Sequence, residues 1–299
     1  MTYTSTGYKI FKCINIILMI IVAVVMIFPY LNVLANAFND GLDTAMGGIT
    51  IFPRKPTLEN FRVLLSDNSL TRAAVISVLR VLSGTVVALF VQFTAAYVFT
   101  KKDLWGRNGL LMFLIIPMFF NGGLIPQYLL YSKIGLLNNF LVYILPTAFS
   151  FYNMIIIRTY LNTIPDSLKE SARLDGANEF VILARIILPL SMPIVATITL
   201  WTAVAHWNDW TTTLYFVTKT RLYTLQYILM QLLKESERIA KMMQEAQEMG
   251  LNVNNVQIRS TPEAIKAAQV VITTLPIIIV YPFLQKYFIK GVMIGAVKE

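Results

Sequence analysis

Six apolar runs, each about as long as a bilayer-crossing helix, leave this chain little choice of architecture. They are Cys13–Ala35, Ala73–Thr100, Gly109–Tyr131, Phe140–Tyr160, Leu190–Trp210 and Ala267–Phe288. A helix needs roughly 20 apolar residues to cross the hydrocarbon. Backbone groups in lipid have no water to bond, so they must pair within the chain, and helices do this segment by segment. Of 299 residues, 56% are hydrophobic and 14% charged, against about a quarter charged in soluble domains. The expected fold is all-α: a polytopic membrane protein with six transmembrane helices.

The charges set orientation rather than recognition. A net charge of +9 could signal nucleic acid, but the basic residues lie between apolar runs, not on one compact face. Lys9 and Lys12 precede the first run. Lys101, Lys102 and Arg107 crowd the second loop. Arg158, Lys169, Arg173 and Arg185 surround the end of the fourth run, and Lys286, Lys290 and Lys298 follow or close the last. With six spans these all fall on one side, which the positive-inside rule makes cytoplasmic, along with both termini. The opposite third loop holds only Lys133. The run Cys13–Ala35 is too long for a signal-peptide core and reads as a retained span. Arg80, inside the second run, is either an intramembrane functional charge or a side chain that snorkels to the outer surface; snorkelling is the favoured expectation.

One cysteine (Cys13) and one histidine (His206) exclude an intrachain disulfide and a Cys/His metal cluster. No Gly-rich Lys-Ser/Thr loop for nucleotide phosphates is present, and no acid–base or nucleophile constellation supports an enzyme. Prolines at 29, 117, 126, 146, 193, 276 and 282 punctuate the runs. Each removes a helix hydrogen bond, and together they suggest bent helices around a pathway.

The polar segments carry the local detail. In the first outer loop Thr57 can cap a short helix, with Asn60 where a Glu or Gln would complete a capping box. The long fifth loop contains an apolar stripe, Leu225, Ile228, Leu229 and Leu232, continued by Ile239, Met242, Met243, Ala246 and Met249 and stopped at Gly250. This amphipathic helix either lies on its own bundle or faces an external partner. Thr261-Pro262-Glu263 then supplies an N-cap, a first-position proline and a dipole-complementing acid for the last span. Between the fourth and fifth runs, Pro165 and Asp166 open a helix that Gly176 ends. Asn178 caps a second one, Glu179 to Ile187, and Pro189 marks the junction with the fifth run. The result is two short helices joined by a tight elbow.

Glu170-Ser171-Ala172, with Gly176 four residues after Ala172 and then Leu188-Pro189, resembles the coupling motif of ABC-importer permeases, with Ser171 in place of the motif's second Ala. Pro56-Thr57-Leu58-Glu59-Asn60-Phe61, Ile134 to Asn139, Trp207-Asn208-Asp209-Trp210 and Thr224-Leu225-Gln226 resemble segments of the maltose-permease-like carbohydrate branch. The extended fifth loop is similar to that of the complex-oligosaccharide subgroup of Gram-positive bacteria. The resemblance implies a permease subunit of the bacterial cell membrane, through which an oligosaccharide passes. It implies a second homologous permease, a dimer of cytoplasmic ATPase subunits and an extracellular or lipid-anchored solute-binding protein. It implies no cofactor in this chain, with ATP and Mg held by the ATPase. Residues 1–72 would form the first span and outer loop. Residues 73–289 would form the permease core, with a coupling insert at 161–189 and an extracellular loop at 211–266, and 290–299 a cytoplasmic tail. Glu170, Ser171, Ala172, Asp175, Gly176, Leu188 and Pro189 would couple to the ATPase.

Sugars favour aromatic faces and hydrogen-bonding side chains in an otherwise apolar cavity. By depth in the runs, Gln92, Asn121, Tyr128, Asn153, Trp207 and Asn208 are the candidates for the substrate path. The competing explanations are interhelical hydrogen bonds and interfacial anchoring. An ion-coupled transporter would need ionisable relays near the midplane. His206 and Asp209 are the only near neighbours of that kind, and both fall near one end of a run.

Overall fold

A computed structural model describes residues 6–66, 68–120, 122–249 and 261–296. Its regular elements are helices, with one isolated bridge between Asn39 and Pro56. The chain divides into two compact units, residues 1–68 with 229–275 and residues 69–228 with 276–299.

In the first unit, α1 (Thr6–Ala37) carries the first apolar run with Pro29 inside it. None of its most apolar window is buried within the chain. Such a face needs lipid or another protein against it. Beyond it, α2 (Gly41–Ala45) and α3 (Glu59–Leu65) are tied together by asparagines. Asn60 is fully buried, and its amide donates to the Ala37 and Asn39 carbonyls at 2.9 and 2.7 Å. Buried Asn39 donates to Asp43 at 2.9 Å and accepts from the Lys55 N–H at 2.7 Å. The short helix expected after Thr57 forms, but its capping position is Leu58, with no side-chain cap. Thr57 Oγ1 accepts the Glu59 N–H at 3.1 Å, and the Asn60 side chain is drawn inward to buried carbonyls, which cost more unpaired than a surface cap gains. The reading of Thr261-Pro262-Glu263 agrees with the structure. Pro262 opens the helix, Glu263 lies in its first turn, and Thr261 Oγ1 accepts the Ala264 N–H at 3.5 Å while donating to the Gly41 carbonyl at 3.0 Å.

In the second unit, α4 (Asn68–Val98) is one unbroken helix over the second run. The third run is divided into α5 (Arg107–Phe119) and α6 (Leu124–Lys133). The fourth is divided at Pro146 and Ser150 into a 3-10 segment, Phe140–Thr147, and α7 (Phe151–Leu161), with a 49° bend. Next come α8 (Asp166–Leu174) and α9 (Glu179–Ile182), then a π-helical stretch, Leu183–Ile187, and the short α10 (Leu188–Leu190). The expected helix from Glu179 to Ile187 is thus partly π. Leu188 N–H reaches the Leu183 carbonyl just ahead of Pro189, which has no N–H to continue the regular ladder. An 81° bend at Ser191 leads into α11 (Met192–Asn208), which covers the fifth run. The short α12 (Thr211–Phe216) follows.

Two helices cross the boundary between units: α13 (Leu225–Glu248) and α14 (Pro262–Ala296). Along α13 the first part of the apolar stripe is buried, at Leu225, Ile228 and Leu229, whereas Ile239 and Met242 are exposed. The stop expected at Gly250 lies outside the described residues. Among the described residues three helices are long and apolar enough to cross a membrane alone, or up to six if each bent pair is one span.

The core that matters most for function joins α4, α7, α9, the π stretch and α11. Phe93, Tyr97, Met154, Ile157, Ile182 and Ile198 meet there, and Ala172 of α8 packs into the same cluster. The short helices of the polar insert are therefore not a loose loop. Their inner face belongs to the core of the spans, where removing one large side chain would cost about 2–5 kcal/mol.

Candidate functional site

Two places bring together the residues singled out in the sequence. The first is the elbow between α8 and α9. Gly176 has φ +80°, a left-handed conformation in which a Cβ is strained. Its N–H donates to the Arg173 carbonyl at 3.0 Å, and the Ala177 N–H donates to the Ala172 carbonyl at 2.9 Å. This paired pattern is a Schellman cap, which satisfies the last carbonyls of α8 while turning the chain. Asn178 Oδ1 then accepts the Val181 N–H at 2.9 Å and starts α9. Helix α8 itself begins at Asp166, one residue later than expected, with Pro165 in the capping position.

The exposed and buried faces of the insert are distinct. Glu170, Ser171, Asp175 and Gly176 are exposed, as are Leu188 and Pro189, whereas Ala172 is buried against the chain's own core. Two apolar side chains flank the elbow in the open: Leu174, 89% exposed, and Phe180, 72% exposed. Neither stood out in the sequence, because exposure at a helix end follows from the turn rather than from residue type.

Glu179 clamps the elbow. Its Oε1 accepts from Arg173 Nη2 at 2.8 Å and Nε at 3.2 Å. Its Oε2 accepts from the Tyr97 hydroxyl at 2.6 Å and from Lys101 Nζ at 2.5 Å. Sequence reasoning saw Glu179 only as the start of a helix, since its partners lie up to 82 residues away. Glu179 precedes the fifth apolar run, Leu190–Trp210, and lies across the 81° bend from α11. Burial pushes its carboxyl up, but the hydrogen bonds from Lys101, Tyr97 and Arg173 outweigh that and hold it down at about 2, from an ordinary 4.5. A depressed carboxylate adds stability that is present above the unfolded pKa and lost as pH falls through the folded one. The elbow should therefore keep its protection from amide exchange above pH 4.5 and lose it progressively towards pH 2. Glu179→Gln should flatten that profile over residues 166–182, as hydrogen exchange against pH would show; an unchanged profile would remove Glu179 from the clamp.

The second place is a cleft of about 390 Å³ within the second unit, among α4, the turn before α7, α7 itself and α11. Gln92 and Asn153, both proposed for a substrate path, line it together with Ser150 and Trp201. Tyr128, Trp207 and Asn208 are not among its lining residues; Tyr128 instead stacks near Phe216, with ring centroids 6.3 Å apart. Asn121 lies outside the described residues.

The cleft runs up to Arg80 and Asp209. Arg80 does not snorkel: it is 1% exposed. One guanidinium nitrogen donates to the Asp209 backbone carbonyl at 2.8 Å, the other pairs with its carboxylate, and the group sits 4.6 Å over the Tyr143 ring. An ionised partner inside the protein removes the reason to reach for water. The Asp209 carboxylate also accepts the Thr211 and Thr212 N–H groups, at 2.9 and 3.1 Å. Tyr143 in turn donates to the Leu222 carbonyl at 2.8 Å, and Thr213 bonds Thr224 at 3.0 Å. Asn138, in the left-handed region at φ +58°, accepts the Thr218 N–H at 2.6 Å. The segments around 134–139, 207–210 and 224–226, scattered in sequence, thus converge on one end of α4.

The chain and its fold have clear counterparts. The chain belongs to the family of binding-protein-dependent transport system inner membrane components, whose model matches residues 84–294. It is 38% identical to Protein LplC of Bacillus subtilis, over 99% of this chain and 97% of that protein. It is 34% identical to the polygalacturonan/rhamnogalacturonan transport system permease protein YtcP of the same organism, over 92% and 94%. Among solved structures it is similar to a chain of a bacterial ABC transporter involved in the import of the acidic polysaccharide alginate. The TM-score there is 0.80 and the identity 27%, covering 96% of this chain and all of that one. The chain is accordingly a non-catalytic permease subunit, with ATPase activity in a partner.

Proposed function

We propose that this chain is one of two permease subunits in an ATP-driven importer of an oligosaccharide, and that the α8–α9 elbow couples it to a cytoplasmic ATPase. The single observation that carries the coupling is the elbow's construction. Its exposed edge, Glu170 to Gly176 with Leu174 and Phe180, is free to enter a partner's groove. Its inner face, through Ala172 and Ile182, is built into the core shared with α4, α7 and α11. Motion of a partner at the edge would therefore move the spans rather than deform a loop. Glu170 and Asp175 offer polar contacts beside the two apolar anchors, and Leu188 and Pro189 stiffen the link to α11.

In this reading α1, α4, the bent pairs over the third and fourth runs, α11 and α14 are the six spans, with both termini cytoplasmic and the 211–266 segment outside. A second homologous permease covers apolar faces that this chain leaves open. A dimer of ATPase subunits binds ATP and Mg, and an extracellular or lipid-anchored solute-binding protein delivers the sugar. The sugar class is supported by the names of the relatives, a polygalacturonan/rhamnogalacturonan permease and an alginate importer. An ion-coupled mechanism has less support. Its best acid, Asp209, is already engaged by Arg80 and two backbone N–H groups, and a relay group must be free to exchange its proton.

Uptake in cells depleted of ATP while the proton gradient is maintained separates the two. The importer reading expects uptake to stop. Uptake that continues at its normal rate would overturn it.

A further inference from the structure

The turn between α4 and α5 carries positive charge that the chain itself does not answer. A cavity of about 430 Å³ there is lined by Lys102, Leu104, Arg107 and the first residues of α5. Arg107 is partly buried, and its Nε is buried with no hydrogen-bond partner. The one bond it makes among the described residues is long, from Nη1 to the Lys101 carbonyl at 3.4 Å. Arg158 of α7 lies close enough for the two guanidinium charges to repel, and its Nε donates to the Phe99 carbonyl at 2.9 Å. Both arginines thus hold carbonyls just beyond the end of α4, where a cation is favoured. Among the described residues, however, no carboxylate pairs with either. The nearby acids are engaged elsewhere. Glu179 is held by Lys101, Tyr97 and Arg173, and Asp166 pairs with Lys169 at 3.0 Å, leaving Lys102 at 3.9 Å. Asp103, in the turn itself, forms no ion pair among the described residues.

Buried donors are nearly always paired, and partly buried arginines side by side without an acid are unfavourable. A bound anion resolves both. The start of α5 points the same way, since no side chain caps its first turn and its first N–H groups stay open to a negative partner. The surroundings say which anion. Trp105, in the same turn, is 94% exposed. An indole beside an apolar span belongs at the membrane–water boundary, with its body towards the acyl chains and its N–H towards the headgroups. From Arg107 onward no residue of α5 is buried within the chain, and Leu110, Met112, Phe113 and Ile116 are exposed. A headgroup in the cavity would stand at the head of an apolar helix along which its chains can lie. A free phosphate answers only the cations, whereas an anionic phospholipid answers the cations, the indole and the apolar face together.

We infer that this cavity binds the phosphate headgroup of an anionic phospholipid of the cytoplasmic leaflet, with Arg107 and Lys102 donating to the phosphate oxygens and Trp105 anchoring the turn at the interface. This goes beyond the importer reading and rests on it only for the side of the membrane. The planar fork of an arginine suits two phosphate oxygens at once, and a lysine adds a point charge. The site adjoins the elbow. Lys101, whose carbonyl Arg107 holds, is one arm of the Glu179 clamp. A bound headgroup therefore fixes the turn from which Lys101 reaches Glu179.

The test uses the complete permease–ATPase complex in phosphatidylcholine nanodiscs, with small fractions of dibromo-phosphatidylglycerol or dibromo-phosphatidylcholine as probes. Bromine quenches the fluorescence of indoles close to it, and subtracting the signal of the complex carrying Trp105→Phe isolates Trp105. Its quenching should appear at an about twentyfold lower fraction of the anionic probe than of the neutral one. Lys102→Gln and Arg107→Gln should each cut that preference about fivefold, the worth of one cation at a membrane surface, and Arg107→Lys should keep most of it. Millimolar inorganic phosphate should leave the preference in place, because the free anion brings no acyl chains. The comparison of probes on the unmodified complex needs no variant, and co-elution of the ATPase reports that each variant is assembled. Equal quenching by the two probes, or a preference untouched when both cations are replaced, would overturn the inference. A preference abolished by inorganic phosphate would make this a site for the free anion and overturn the lipid assignment. Absence of an ATPase from the unmodified complex would instead be a failure of the importer reading, and the quenching comparison could still be read on the membrane part.

Discussion

Gly176→Asp should release the ATPase from the complex and reduce ATP-dependent uptake by more than tenfold, while the membrane part stays folded. Gly176 has φ +80° and no atom within 4 Å of an added Cβ. A side chain there meets no clash, so the local cost is only the left-handed conformation, roughly 1–2 kcal/mol. A carboxylate placed on the exposed turn between Leu174 and Phe180 would be buried by a docked partner with no positive group of this chain assigned to it. Central interface positions of this kind cost about 2 kcal/mol or more when spoiled, which corresponds to more than a tenfold loss of affinity. Gly176→Ala carries the same backbone strain without the charge and should be much milder. Retention of the ATPase by Gly176→Asp, or equal loss in both variants, would contradict the docking role; thermal melting of the purified chain checks that the fold survives.

Arg80→Ala should be the most destabilising single substitution in the second unit. It would leave the Asp209 carboxylate without its cation, in a place where Arg80 is 1% exposed. Breaking one partner of a buried pair costs on the order of 3–5 kcal/mol, and the lost stacking on Tyr143 adds to it. Arg80→Lys should recover little, because one ammonium cannot reach the Asp209 carbonyl and carboxylate together as the planar fork does. Arg80→Ala with Asp209→Ala should be more stable than Arg80→Ala alone, since no charge is then left unpaired. Thermal melting of the four proteins in detergent decides this. A double variant no better than the single one would mean that the Asp209 charge is not what the arginine stabilises.

How much of this was legible in the sequence depends on the range of the interaction. The apolar runs predicted where helices lie, because lipid imposes length and composition residue by residue. The elbow was legible for the same reason: Pro165, Asp166, Gly176 and Asn178 act on their immediate neighbours; the first helix starts one residue later than expected, and Leu183–Ile187 is π rather than α. The burial of Arg80 was not legible, since its partner is 129 residues away and a lone arginine near a span end looks the same whether paired or snorkelling. Glu179 was hidden likewise, with its clamp built from α4 and α8 at once. Asn60 matched a capping position by spacing, yet carbonyls of Ala37 and Asn39, more than twenty residues earlier, claimed it. Of the residues lining the cleft the sequence picked out Gln92 and Asn153 by depth alone. It passed over Thr202 and Trp201, whose place in the lining depends on which face of α11 meets the cleft.

The central claim is that this chain works as the membrane half of an ATP-driven machine, joined to its motor at the elbow. The most direct measurement is to tag the chain in its native cell, purify it in mild detergent from membranes active in uptake, and identify what accompanies it. A second homologous permease together with an ATPase is the predicted result. A stable homo-oligomer with no ATPase, isolated from those same active membranes, would contradict it.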